Sequence, residues 1–404
     1  MLFRGTKIGQ FYRDKGNNVF SYIHTLLTKI PIIFAALKHY EMKCGIVGLP
    51  NVGKSTLFNC LSSAKAQAAN YPFCTIEPNV GQVTVPDHRL ERLAELVNPE
   101  KVQAANVEIV DIAGLVRGAS KGEGLGNQFL GNIRETNAII HVLRCFENEN
   151  VTHVDGSIDP IRDKETIDIE LQLKDLETVE KRLEKAKKMA KSGEKEAKLN
   201  VETLERLCAF LMESKNVRGF DRTERERELL KEMQLLTDKP VLYLCNVEES
   251  AAREGNNHVE RVRVMAAEEN AGCLHIAVST ESDIAELETY EEKQLFLEEL
   301  GLEDAGVNRV IRAAYNLLQL QTYFTAGVKE VRAWTIKRDC TAPQAAGVIH
   351  TDFENGFIRA EVISFKDYDQ YGSENAVKEA GKMRVEGKEY MVQDGDVMHF
   401  RFNV

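Results

Sequence analysis

The sequence contains no closely spaced cysteine pair and no long uncharged apolar run. Its eight cysteines are scattered singly along 404 residues, which argues against the paired thiols of a zinc ribbon or a dithiol redox site. Scattered thiols are typical of a reduced, cytoplasmic chain. The apolar stretch around residues 30–37 is interrupted by Lys29 and Pro31, and it falls short of the roughly 20 apolar residues that span a membrane. We therefore expect neither disulfides nor a membrane anchor.

Positive charge is also in deficit. Lys and Arg number 52 against 63 Asp and Glu, which gives a formal net charge of −11. This balance disfavours a protein that coats nucleic acid with its whole surface, although a local basic patch depends on where the charges lie. The hydrophobic share of 43% is ordinary for a folded protein, and the length allows two or three domains.

Residues 1–41 precede the patterned part of the sequence. No clear small-residue cleavage site follows their apolar stretch, so a signal peptide is disfavoured. We interpret residues 1–41 as an amino-terminal extension and expect Met42 to be the natural start.

From Lys43 the sequence alternates short apolar runs with helical patterns. The first run leads into a glycine-rich turn and then a helix. This alternation predicts an α/β fold with a mostly parallel sheet covered on both faces. The further strand candidates are Val107–Asp111, Ala138–Arg144, Val241–Asn246 and Cys273–Ser279.

Two apolar stripes near heptad spacing interrupt this rhythm between residues 165 and about 213. They are separated by Ser192-Gly193, and they predict an antiparallel helical hairpin of coiled-coil type inserted at residues 160–236. Cations crowd its tip, and this charge run is either a solvated helix face or a contact surface for RNA phosphates. These cations are Lys181, Arg182, Lys185, Lys187, Lys188, Lys191, Lys195 and Lys198.

The carboxyl-terminal part has a different character. An acidic helical stretch and a helix over Val307–Leu320 precede it, and residues 321–404 then show short β-rich runs. We predict a compact α+β domain with one helix, either Ala345–Phe353 or Asn375–Ala380. Its aromatic residues are expected to fill a small core rather than to stack on bases.

The chemistry is indicated by Gly48–Ser55, which fits the pattern G-x-x-x-x-G-K-[ST] between a strand and a helix. Glycines in such a loop let backbone N–H groups turn toward phosphate oxygens. Lys54 is expected to reach the β- and γ-phosphates and Ser55 to bind Mg²⁺. The candidate nucleotide-binding residues of this segment are Asn51, Val52, Gly53, Lys54, Ser55 and Thr56.

Two further segments follow in the order expected of a phosphate-binding hydrolase. Asp111-Ile-Ala-Gly114 matches D-x-x-G after an apolar strand. Asp111 is expected to hold magnesium, and the Gly114 N–H to meet the γ-phosphate. Thr75 lies between the two motifs and is assigned by position alone as a third magnesium-associated residue.

The fourth motif departs from that of guanine-binding proteins. They use N-K-x-D, whose Asp accepts hydrogen bonds from guanine, whereas this chain has Asn246-Val-Glu-Glu249. The Lys is missing and the longer Glu replaces the Asp, and such polar mismatches cost about 1–3 kcal/mol each. The sequence therefore favours ATP over GTP. Asn246, Val247 and Glu249 are the predicted base-side residues, with Ser279 in the next loop.

With these motifs in place, residues 42–404 resemble the YchF subfamily of Obg-related GTPases. The resemblance implies an OBG-type G domain over 42–320, interrupted by the helical insertion, and a β-grasp domain of TGS type over 321–404. It also implies ATP and weaker or comparable GTP binding, slow hydrolysis and association with ribosomes. The most specific segments are 45–56, 111–119, 122–129, 321–335 and 347–353.

Hydrolysis needs a positioned water, yet Leu115 follows D-x-x-G where many relatives place Gln. The resemblance points to the loop of His153 as a water-orienting element, although a lone loop histidine is more often an exposed bystander. A potassium ion held beside Asn51 is the second candidate, with a loop-stabilising role for Asn51 as the alternative.

Three functions follow from these observations. The first is a ribosome-associated ATPase that acts as a nucleotide-dependent switch. The second is a conventional GTPase in which Glu249 still accepts guanine. The third is a binding module that nucleotide gates and in which hydrolysis is incidental, because Leu115 cannot orient water.

Overall fold

The computed structural model describes residues 42–67, 79–112, 125–148, 151 and 156–403. These residues form two compact units. One comprises residues 42–322 with 327–337, and the other comprises residues 323–326 with 338–403. The predictions for residues 1–41 and for Thr75, Gly114, Leu115 and His153 lie outside the described residues.

The larger unit is built on a six-stranded sheet with the order β2-β4-β1-β5-β6-β7. Only β2 runs antiparallel to its neighbour, and the other pairs are parallel, so the predicted mostly parallel sheet is confirmed. The strands are β1 (Lys43–Val47), β2 (Val80–Thr84), β4 (Asn106–Asp111), β5 (Ala138–Arg144), β6 (Val241–Asn246) and β7 (Gly272–Ile276), and a short β3 (Val102–Gln103) lies outside this sheet.

The central strands are buried along almost their whole length. β5 and β6 are buried at every position and β1 at four of five, which is the pattern of parallel strands covered by helices on both faces. Because β1, β5, β6 and β7 are parallel, their carboxyl ends meet at one edge of the sheet. The helices outside the insertion are α1 (Lys54–Gln67), α2 (His88–Val97), α3 (Leu125–Arg134), α7 (Asn257–Glu268), α8 (Val278–Glu286), α9 (Tyr290–Glu299) and α10 (Gly306–Leu317).

Three helices, here called the helical insertion, lie between β5 and β6: α4 (Pro160–Lys191), α5 (Lys195–Met212) and α6 (Glu224–Met233). α4 begins with Asp159, whose side chain caps its amino terminus, and with Pro160 in the first turn. The turn predicted at Ser192-Gly193 reverses the chain, so α5 packs back along α4. Their shared core contains Val179, Ala186, Leu204, Leu207, Cys208 and Leu211.

A buried carboxylate joins α4 to the segment between α6 and β6. Asp175 is fully buried and accepts hydrogen bonds from the backbone N–H groups of Leu236 and Thr237 at 2.7 and 2.8 Å. Burial raises its pKa to about 6, against the opposing effect of these donors. The first helix of the insertion is therefore tied by hydrogen bonds to the segment that leads into β6.

The smaller unit contains part of a second sheet, in which β11, β10, β12 and β8 are neighbours in that order. β10 pairs antiparallel with β11 and β12, and β12 runs parallel to β8. The bounds are β8 (Leu320–Ala326), β10 (Phe357–Ser364), β11 (Arg384–Glu386) and β12 (Asp396–Phe402), while β9 (Val331–Lys337) belongs to the larger unit beside β3.

Several sequence predictions need correction. Both candidate helices of the carboxyl-terminal region form, and four short helices replace the single one expected: α11 (Ala342–Ile349), α12 (Thr351–Asn355), α13 (Phe365–Tyr371) and α14 (Glu374–Glu379). The strand predicted to reach Ser279 ends at Ile276, because α8 begins at Val278. The helix predicted to reach Leu320 ends at Leu317, and β8 begins at Leu320.

Within the described part of the chain, no helix has both the length and the apolarity that a membrane crossing requires. The aromatic residues expected in the carboxyl-terminal core are buried: Tyr323 and Phe324 are 0% exposed. Tyr323 packs edge-on against Phe400 within the smaller unit.

Candidate nucleotide site

The loop between β1 and α1 has the conformation that its glycines permit. Asn51 and Gly53 have positive φ angles of 62° and 98°, and α1 begins directly afterwards at Lys54. A Cβ atom on Gly53 would lie 2.5 Å from Nδ2 of Asn246. The glycine is therefore required by close approach as well as by backbone geometry. The loop leads directly into the amino terminus of α1, and helix amino termini bind phosphate groups.

Lys54 is folded back onto this loop. Its side chain is buried, and its Nζ donates a hydrogen bond to the carbonyl oxygen of Leu49 at 2.6 Å. Burial lowers the pKa of Lys54 to about 8, and the nearby Asp111 opposes this effect. The Lys54 ammonium therefore lies beside the loop, and a bound polyphosphate would take the place of the Leu49 carbonyl oxygen as its hydrogen-bond partner.

Ser55 and Asp111 meet across the end of the loop. The Ser55 hydroxyl donates to Oδ2 of Asp111 at 3.3 Å, and Oδ1 of Asp111 is buried without a hydrogen-bond partner among the described residues. Two oxygen groups, one of them with an unsatisfied atom, suit a hard cation such as Mg²⁺. Among the residues that the structure describes, no group of three or more His, Cys, Asp or Glu side chains is placed to hold a metal ion.

Asn246 joins the loop to the opposite side of the site. Its Nδ2 donates to the carbonyl oxygen of Val52 at 3.0 Å, and its Oδ1 accepts from the N–H of Val278 at 3.1 Å. The side chain is 5% exposed. Both ends of the amide are therefore used to hold the phosphate loop against the β7–α8 junction. The neighbouring Val247 is buried, and its N–H donates to Ile276.

Glu249 and Ser279 are brought to the same edge of the sheet as the phosphate loop. Glu249 is exposed at the start of a 3₁₀ turn after β6, and Ser279 is exposed in the first turn of α8. Thr56, the third residue of α1, is also exposed. The described nucleotide-binding candidates thus meet at one edge, whereas Thr75, Gly114 and His153 lie outside the described residues.

The structure adds two residues that sequence reasoning missed. Glu248 accepts hydrogen bonds from Nδ2 of Asn256 at 3.2 and 3.3 Å, and the same nitrogen donates to the carbonyl oxygen of Cys145 at 2.7 Å. Of the two adjacent glutamates, Glu248 therefore holds the loop while Glu249 is exposed. This difference has no signal in the local sequence, because it depends on the position of Asn256.

Arg144 is the second such residue. Its buried guanidinium donates to the carbonyl oxygens of Phe146, Asn148 and Val151 at 3.2, 3.2 and 2.9 Å. One side chain therefore fixes the segment that follows β5 at the carboxyl edge of the sheet. The available signal is a charged residue at the end of a mostly apolar strand.

The pKa of Lys54 predicts how ATP binding depends on pH. In the free protein Lys54 loses its proton near pH 8, whereas bound phosphates favour the charged form. Binding therefore takes up a proton above this pH, and ATP affinity should fall about eight-fold between about pH 7.5 and 9. Isothermal titration at constant Mg²⁺ measures this, and Lys54→Arg, which stays charged, should show little dependence. A flat profile for the unmodified chain would contradict the assignment.

Family models match both parts of the chain. One described as a 50S ribosome-binding GTPase matches residues 43–175. Another, for the carboxyl-terminal region of YchF GTPases and described as a protein of unknown function, matches residues 320–403.

Whole-length comparisons agree with these models. The chain is 58% identical to the protein named Ribosome-binding ATPase YchF of Haemophilus influenzae, over 90% of this chain and 99% of the relative. It is 55% identical to the protein of that name in Bacillus subtilis, over 90% and 100%. The solved YchF GTPase of Schizosaccharomyces pombe is 39% identical, with a TM-score of 0.81 over 89% of this chain and 98% of that one. The chain belongs to the YchF family.

Proposed function

We propose that the chain is a ribosome-associated ATPase that binds ATP with Mg²⁺ and hydrolyses it slowly to ADP and phosphate as a nucleotide-dependent switch. The observation that carries this proposal is the single edge at which the phosphate loop, Asp111 and the Asn246–Glu249 segment meet. The names of the relatives, which describe ribosome-binding ATPases, support the partner and the substrate. A ribosomal partner supports a cytoplasmic location.

Base selection is assigned to Glu249. Both the nitrogen and the oxygen of the Asn246 side chain are already hydrogen-bonded, to Val52 and Val278 respectively. Glu248 accepts a hydrogen bond from Asn256. Of the acidic residues in this segment, Glu249 is therefore the one proposed to contact the nucleotide base. It is longer than the Asp of N-K-x-D and lacks the accompanying Lys, so guanine loses its usual partners and ATP is favoured.

Magnesium is assigned to Ser55 and Asp111, together with Thr75. The unsatisfied Oδ1 of Asp111 and the adjacent hydroxyl support this assignment. The ion would neutralise charge on the β- and γ-phosphates. Lys54 adds a second positive charge to the same oxygens, and the Gly114 N–H a hydrogen bond to the γ-phosphate.

Water positioning is assigned to His153, because Leu115 has no hydrogen-bonding side chain. The support within the described residues is Arg144, which fixes the carbonyl oxygens of Asn148 and Val151 on the approach to this loop. A potassium ion beside Asn51 is a second source of charge stabilisation.

The accessory regions are assigned by their shape and charge. We interpret α4 and α5 as the coiled-coil hairpin and the carboxyl-terminal sheet as a β-grasp domain of TGS type. The close packing of α4 on α5 and the parallel β12–β8 pair support these assignments. Both regions are proposed to contact ribosomal RNA.

A conventional GTPase is the second candidate. It is favoured by the GTPase description of the model that matches residues 43–175 and by the name of the solved relative. A binding module gated by nucleotide, with incidental hydrolysis, is the third, and it rests on Leu115 alone.

Equilibrium binding of ATP and GTP to the chain beginning at Met42 separates the first two candidates. ATP should bind more tightly, and Glu249→Asp should shift the ratio toward GTP by about 1–3 kcal/mol, since it restores the shorter carboxylate. Glu248→Asp is the matched control and should leave the ratio unchanged, because Glu248 is bonded to Asn256. GTP binding about ten-fold tighter than ATP would reassign the chain as a GTPase.

Single-turnover hydrolysis at saturating ATP tests the role of His153. His153→Ala should lower the hydrolysis rate by about 10²-fold or more while leaving ATP affinity unchanged, since positioned proton-transfer groups contribute on this scale. Equal rates in the variant and the unmodified chain would remove His153 from the mechanism.

A further inference from the structure

A pocket of about 180 Å³ lies between α8, α9 and the start of α10, and we call it the α8–α9 pocket. Its lining is largely apolar and includes the side chains of Ile284, Ala285, Leu297 and Val307. A cavity of about 150 Å³ with apolar walls can hold a benzene molecule, so this pocket has room for one large apolar side chain. Tyr290 also lines the pocket, and it is 72% exposed.

The two carboxylates that line the pocket already have partners inside the protein. Glu281 accepts hydrogen bonds from the first two backbone N–H groups of α10, at 2.7 and 3.1 Å. Asp304 accepts a hydrogen bond from Nδ2 of Asn308 at 2.8 Å and pairs with Arg312. Neither carboxylate therefore needs a ligand, and the free contacts that the pocket offers are mostly apolar.

The helices that form the pocket carry a dense run of carboxylates. Ten of the 24 residues from 281 to 304 are Asp or Glu, and Lys293 is the one cation among them. Most of these carboxylates are exposed and have no hydrogen-bond or ion-pair partner among the described residues: Asp283, Glu286, Glu288, Glu291, Glu298, Glu299 and Glu303. Exposed charges of one sign create a local potential, which here attracts cations and repels phosphate groups.

One exposed face of α9 combines this charge with apolar surface. Glu291, Leu295 and Glu298 follow the spacing i, i+4, i+7, so they lie on the same face of the helix. All three are exposed, and Leu295 has 61% of its surface accessible. The neighbouring face of α9 carries Tyr290 and Leu297, which line the pocket. A ligand that enters the pocket therefore also reaches two unpaired carboxylates.

We propose that the α8–α9 pocket docks a protein segment rich in lysine or arginine, which places one large apolar side chain in the pocket. The carboxylates of α8 and α9 complement the cations of such a segment. The pocket supplies the buried anchor position on which the affinity of protein interfaces depends. RNA does not fit this surface, because its phosphates would face carboxylates. A small cation would leave the pocket unused, because it has no apolar side chain to place there.

The docking surface adjoins the nucleotide site without belonging to it. α8 begins at Val278, whose N–H donates to Asn246, and the same helix reaches the pocket at Ile284 and Ala285. Six helical residues span about 9 Å. A docked segment would therefore lie at the far end of the helix whose start supports the base side of the nucleotide site. The inference does not depend on which nucleotide binds there.

Fluorescence anisotropy with a labelled peptide of lysine and alanine that carries one central phenylalanine tests the proposal. Replacing the phenylalanine by alanine should weaken binding about ten-fold or more. Glu291→Gln/Glu298→Gln should weaken it about three-fold or more at low salt, and this difference should vanish at about 1 M salt. Ala285→Leu, which narrows the pocket, should remove the preference for phenylalanine over alanine. ATP affinity should stay unchanged in each variant, which shows that the protein is folded.

The matched control is Glu202→Gln/Glu228→Gln. It removes two exposed carboxylates of the helical insertion that have no partner among the described residues, and peptide affinity should stay within about two-fold. Equal losses in the two double variants would indicate a general attraction for cations and would overturn the proposal. Equal affinity for the phenylalanine and alanine peptides would also overturn it, since the pocket would hold no anchor. A dimer of the peptide-free protein that Glu291→Gln/Glu298→Gln disrupts would assign the surface to a second copy of the chain and reject the proposal.

Discussion

The two-sided hydrogen bonding of Asn246 is the constraint on which the nucleotide site depends. One buried amide donates to Val52 in the phosphate loop and accepts from Val278 at the start of α8. Gly53 must then be a glycine, because a Cβ there would meet this amide. The Asn246 side chain thus holds the phosphate side of the site at a fixed distance from the base side. Leaving such a buried amide without hydrogen-bond partners costs stability.

Positive charge is concentrated at particular places in this acidic chain. The protein is acidic, yet Lys54 is buried against a carbonyl oxygen, and five cations gather beside α4: Arg134, Lys174, Lys181, Arg182 and Lys185. Burial lowers the pKa of Lys54, and a bound phosphate opposes this effect because it favours the charged form. The exposed cations gain little from their ion pairs, which leaves them able to bind another anion.

Local patterns predicted much of the fold and the phosphate side of the site. The motif at residues 48–55 and the buried apolar runs of β5 and β6 depend on neighbours in sequence, so they could be read directly. The roles of Asn246 and Glu248 could not, because their partners lie far along the chain or depend on how a loop turns. The helices α12 and α14 are too short for a clear periodic pattern.

The central claim is that Asn246 positions both sides of the site without reading the base. Asn246→Asp keeps the acceptor for Val278 but removes the donor to Val52. ATP and GTP affinities measured on this variant should both fall by about 5- to 150-fold, which corresponds to about 1–3 kcal/mol, with their ratio unchanged. A changed ratio with undiminished affinity for one nucleotide would contradict the claim, since it would show that Asn246 selects the base.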